Sequence, residues 1–157
     1  MRDTRELVFT RRPKPCAGDM RITWRLSLVL LALHSSRGSK ASYAKLHVLN
    51  DALRSTEAQE RLIEIIEGRM PPLSWQLRVE PAFTRALDFV VGEKFAIWSI
   101  ANGRTSLKLT DAGRVAAKTV WEDSSVLHQE KEFLSAHARA ITEAFVQRVL
   151  LAGKAFL

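Results

Sequence analysis

Cys16 is the only cysteine in the chain. No intrachain disulfide can form from it, and no cysteine-based zinc site can be assembled. It sits in an arm punctuated by Pro13, Pro15 and Gly18, with no histidine or helix terminus to activate it. An inert thiol is the expected reading. Histidine is scarce as well. His34, His47, His128 and His137 include no i, i+4 pair, and neither HExxH nor CxxC occurs. The commonest sequence signatures of a metal centre are therefore absent. "RGSKAS" lacks the upstream glycine of a phosphate loop. Glu57, Glu60, Glu64 and Glu67 flank Arg61 and Arg69. They read as a solvated helix face with local ion pairs, not as paired catalytic carboxylates. The expectation is a protein that is not an enzyme and has no cofactor and no metal.

Long apolar runs are also missing. "LSLVLLAL" (26–33) is far short of the ~20 residues that span a bilayer. It has the look of a signal-peptide core. However, it starts late, follows a stretch carrying Asp3, Glu6 and Asp19, and lacks a clear cleavage box. A buried helix is the better reading. The unpaired cysteine fits a reducing, cytoplasmic setting, with no membrane as partner.

Positive charge is what the chain has in excess. Lys and Arg number 24 against 17 Asp and Glu, a formal net charge of +7. Nucleic acid is thereby a fair partner class, although excess charge also serves solubility. Apolar residues make up 46% of the 157, enough for one domain with a real core and appendages.

Periodicity predicts a mostly helical order. Residues 1–21 form a basic arm in which "ELVFT" (6–10) has strand character. A first helix spans about 22–35, apolar on nearly all sides and therefore central. "SSRGSK" (35–40) is a turn. A second helix covers about 42–54, with Tyr43, Leu46, Leu49 and Leu53 at helical spacing. Ser55 or Thr56 caps a third, whose stripe is Leu62, Ile65 and Ile66 and which Gly68 ends. Pro71 and Pro72 break the chain. "LSWQLRV" (73–79) alternates as a strand does. Pro81 opens a helix over about 81–92. "KFAIWSIA" (94–101) and "SLKLT" (106–110) flank "NGRT", whose Asn-Gly suits the positive φ angles of a hairpin turn.

"SLKLTDAGRVAAKTV" (106–120) is the most informative stretch. A half-buried strand ends in Leu-Thr. Thr110 caps a helix, Asp111 favours the positive end of its dipole, and Gly113 sits in its first turn. After "EDSS" (122–125) a long helix fills the C-terminus, with Leu134, Ala138, Ile141, Phe145 and Val149 on one stripe. The fold class expected is mainly α with a small β-hairpin (α+β).

Helices, then a helix, a hairpin and a closing helix make the layout of a winged-helix domain. The chain resembles winged-helix proteins over about 22–121, most specifically at the hairpin-to-"LTxxGR" junction. Gly113 would let the closing helix approach the sheet closely. "GSKASYAKLHVLNDALRS" (38–55), "VEPAFTRALDFVVGE" (79–93) and "LTDAGR" together also resemble the small middle components of bacterial three-component ABC-ATPase defence systems, the group that includes Lamassu. That resemblance implies an adaptor that bridges an SMC- or RecF-like ATPase and an effector, and it implies no catalytic residues.

In a DNA-binding winged helix, the helix before the wing enters the major groove. Here it is largely apolar and offers Thr84 and Arg85 beside Asp88 and Glu93, where base-reading helices display Arg, Lys, Asn or Gln. Arg85, with Asn102, Arg104 and Lys108 of the wing, are the candidates for nucleic-acid contact, chiefly nonspecific and to phosphates. Leu134, Ile141, Phe145 and Val149 are the candidate partner interface, either for an ATPase complex or for a homo-oligomer. Trp24, Trp75, Trp98 and Trp121 read as core or interface anchors. A winged-helix transcription regulator, dimerising through its C-terminal helix, is the alternative function.

Overall fold

The computed structural model describes residues 18–154. The suggested strand at 6–10, Cys16 and Phe156 lie outside them. The chain is mainly α-helical with a small antiparallel sheet, an α+β arrangement.

Helix α1 (Gly18–His34) is followed by a 3-10 turn, strand β1 (Lys40–Ser42) and helix α2 (Tyr43–Leu53). Helix α3 (Thr56–Ile66) follows, and a 3-10 turn at Pro72–Ser74 leads on to helix α4 (Pro81–Gly92). Strands β2 (Ala96–Ala101) and β3 (Arg104–Leu109) form the hairpin. Helices α5 (Asp111–Glu122), α6 (His128–His137) and α7 (Glu143–Lys154) complete the described chain.

Local chemistry sets several of these boundaries. Ser42 Oγ accepts the Lys45 N–H at 3.0 Å, and Ser55 Oγ accepts the Ala58 N–H at 3.1 Å. These are N-cap bonds that satisfy otherwise orphaned donors. Asn102 and Gly103 hold φ angles of 53° and 69°, as the two central residues of a type I′ turn must.

The Thr110 junction binds three elements together. Its N–H donates to the Phe95 carbonyl, its hydroxyl donates to the Lys94 carbonyl at 2.6 Å, and the same oxygen accepts the Gly113 N–H at 3.1 Å. Gly113 lies so close to the β2 entrance that a Cβ there would stand 1.8 Å from the Phe95 carbonyl oxygen. That is the close approach expected of this glycine.

The sheet order is β1-β3-β2. Leu107 and Leu109 of β3 point into the core, whereas Arg104, Ser106 and Lys108 take the other face. Lys40 pairs with Lys108 and Ser42 with Ser106, so all five share that second face. Strand β1 extends the hairpin expected from sequence to a three-stranded sheet.

Helix α1 packs against α2, α4, α5 and α6. All of its residues from Leu28 to Leu33 are buried, so its central place is as expected. Two other expectations are corrected. Residues 73–79 form no strand: after the 3-10 turn the chain runs irregularly, and the Arg78 N–H donates to the Asp51 carboxylate at 2.8 Å instead of to a sheet neighbour. The C-terminal helix is two helices, because the chain leaves helical geometry after His137 and Thr142 re-caps it by accepting the Phe145 N–H at 3.1 Å.

That break changes the meaning of the C-terminal stripe. Leu134, Ala138, Ile141, Phe145 and Val149 are all buried in the same cluster as α1 and α2. Helix α7 packs against α2 and the Pro72–Ser74 turn. The stripe proposed as a partner interface is therefore covered by the chain itself. No break in the core falls at the 121/122 boundary.

Candidate docking face and basic cleft

The four candidate nucleic-acid residues do not form one surface. Arg85 is exposed on α4, beside exposed Asp88, Phe89 and Glu93. Asn102 occupies the wing turn. Arg104 and Lys108 lie on the second face of the sheet, and Arg104 Nη1 is 3.6 Å from Glu143 Oε2 at the start of α7.

What α4 and the wing display instead is apolar. Phe89 is exposed on α4, and β2, which packs against that helix, exposes Trp98 and Ile100 on the helix-covered side of the sheet and Ile97 on the other, opposite Lys108. Ile100 is 80% exposed. Strand β2 is also an unpaired edge of the sheet, a feature that proteins otherwise protect with charge or cover. Between α4 and β2 stands Tyr43. Its hydroxyl is 3.3 Å from Thr84 Oγ1, and its ring centroid is 6.4 Å from that of Trp98. Trp98 is thus held in place with part of its indole open to solvent.

On the second face of the sheet lies a cleft of about 790 Å³. Its lining draws Arg37 from the first turn, Lys40 from β1, Lys45 from α2, Arg104 from β3 and Arg139 from the α6–α7 connection. Ser35, Ser36, Ser106, Asn102 and Thr142 add neutral polar groups, and Glu143 is the lining's one carboxylate. Glu143 Oε1 accepts the Ser42 N–H at 2.9 Å, which fixes the start of α7 against β1. Lys45 is only 5% exposed. Burial pulls its ammonium below the usual lysine range, and the nearby Glu143 charge acts in the opposite sense.

Of the sequence candidates, Asn102 and Arg104 belong to this cleft, and Lys108 lies opposite Lys40 on the same sheet face. Arg37, Lys40, Lys45 and Arg139 were not singled out by sequence, because they converge from four separate segments. One signal was available: Lys45 falls between Tyr43 and Leu46, two of the apolar residues that set the helical spacing.

Comparison with protein-family models, with curated proteins and with solved structures returned no match. The physical inventory carries the functional argument. Among the described residues no group of three or more His, Cys, Asp or Glu side chains is placed to hold a metal ion. No described helix is long and apolar enough to cross a membrane.

His47 is the most unusual titratable side chain. It is buried between Tyr43 and Phe83, with ring centroids 4.4 and 5.1 Å away, and neither of its nitrogens has a hydrogen-bond partner. Burial holds its pKa below the ordinary histidine value, and the Glu80 carboxylate opposes that shift. An α2 that is buried on nearly all sides leaves His47 no route to solvent.

Proposed function

We propose that this chain is a cytoplasmic, non-enzymatic winged-helix adaptor that bridges an SMC- or RecF-like ABC ATPase and an effector in bacterial anti-phage defence. Two features support the winged-helix reading. The order α1-β1-α2 followed later by α4-β2-β3 matches that layout, with α3 inserted. The sheet order puts the first strand beside the returning strand of the wing.

The single observation that carries the adaptor reading is the surface of α4 and β2. A helix that reads DNA presents polar side chains to base edges. This one presents Phe89 and two carboxylates beside Arg85, and its neighbouring strand presents Trp98 and Ile100 on the same side. Exposed apolar groups gathered on one adjoining helix and strand suit a protein partner. The regulator alternative loses support from the same geometry, and also from burial of the stripe that was to join its dimer.

Footprinting on the surrounding genomic DNA separates the two functions. The adaptor reading expects only weak, salt-sensitive association, with Kd near 10⁻⁴ to 10⁻⁶ M, roughly the nonspecific range. A protected operator whose affinity survives about 200 mM salt overturns it.

A further inference from the structure

We propose that the basic cleft is a binding site for the phosphate chain of a small ligand, on the scale of a di- or triphosphate. This goes beyond the docking role and does not depend on it. Five cations converge on the cleft against the single carboxylate Glu143. A lone carboxylate ligand would use one or two of them, whereas a linear polyphosphate presents enough oxygens for all. The volume lies within the ordinary range of small-molecule pockets, roughly 300–1,000 Å³.

Lys45 is the independent observation. Among the described residues its ammonium forms no hydrogen bond or ion pair, although the residue is nineteen-twentieths buried and lines the cleft. Little of the residue reaches water, and an ion pair formed there is screened far less than one on an open surface. An anion on the floor of the cleft would supply the missing partner. The start of α7 lies at the same place, with Thr142, Glu143 and Ala144 in the lining, and its dipole adds to the attraction for an anion, although Thr142 already takes the Phe145 N–H.

The lining also argues against other occupants. It contains no aromatic side chain to form a stacking platform for a base. The recognition is of phosphate, not of a nucleobase. A duplex backbone rests on exposed cations, whereas Lys45 is only 5% exposed.

The test is calorimetric titration of the full chain with inorganic tripolyphosphate at fixed ionic strength, with sodium sulfate as the control anion. Saturable one-to-one binding is expected for tripolyphosphate and none for sulfate at the same concentration. Lys45→Met removes the buried charge and should weaken binding about tenfold or more, the worth of one charge-assisted hydrogen bond. Arg139→Gln alters an exposed side chain and leaves folding intact, yet should also weaken binding severalfold. Absence of saturable binding by the folded wild-type chain overturns the proposal. So does unchanged affinity in Arg139→Gln together with a folded Lys45→Met. Displacement of tripolyphosphate by equimolar DNA duplex or acidic peptide would assign the cleft to a macromolecule and overturn it equally.

Discussion

Gly113 shows how one side chain, or its lack, sets the distance between two elements. The Phe95 carbonyl occupies the space that a Cβ would need, and that carbonyl is itself held by the Thr110 N–H. Backbone cannot yield as a flexible side chain can. Gly113→Ala should therefore destabilise the chain by at least the roughly 1–3 kcal/mol of an overpacked core, even though alanine is the better helix former. Thermal melts check this, with a fall of several degrees expected. At His47 the effect is pH-dependent. Its folded-state pKa lies below the unfolded one, so its contribution is fully present above about pH 6.5 and is lost as pH falls, by at most about 1.4 kcal/mol per pH unit. Urea titrations between pH 7.5 and 5.5 should show falling stability for the wild type and a flatter profile for His47→Leu. Parallel profiles would contradict this account.

At the scale of elements, what could be read from sequence was what local chemistry decides. Ser55 and Thr110 cap the helices that follow them, and Asn102-Gly103 turns the hairpin, because each acts within three or four residues. Strand β1 escaped notice because three residues are too few for an alternating pattern, and its partner β3 lies more than sixty positions away. Residues 73–79 alternate convincingly, yet no strand edge is placed beside them, and Asp51 takes up the Arg78 N–H instead. The C-terminal stripe was correctly apolar and wrongly placed. Its residues satisfy one helical period, but a break that holds neither proline nor glycine folds the second half back onto α2. Phe145 therefore belongs to the core. Phe145→Ala should cost about 3–5 kcal/mol, as large-to-small core changes do, and should leave any assembly of still-folded chains unaffected. Chemical denaturation measures the first effect and light scattering the second. An unchanged midpoint would return α7 to the role of an exposed appendage.

For the whole molecule, the fold separates two surfaces of opposite character. One face of the small sheet looks onto the basic cleft. The other is buried by helices, and at its margin α4 and β2 expose Phe89, Trp98 and Ile100. Part of the net charge of +7 is gathered where Arg37, Lys40, Lys45, Arg104 and Arg139 meet. The apolar margin is the basis of the adaptor reading. Each large side chain covered by a partner contributes roughly 1.5–3 kcal/mol, so losing one and placing a charge there should weaken docking strongly without touching the core. The most direct measurement is the mass, by size exclusion with light scattering, of the complex formed when the chain is co-expressed with the products of its flanking genes. A stoichiometric assembly containing a large ATPase is predicted for the wild type and its loss for Ile100→Asp, with the variant's own fold intact by circular dichroism. A wild-type chain that elutes alone, or an Ile100→Asp chain that assembles as well as the wild type, would contradict the account.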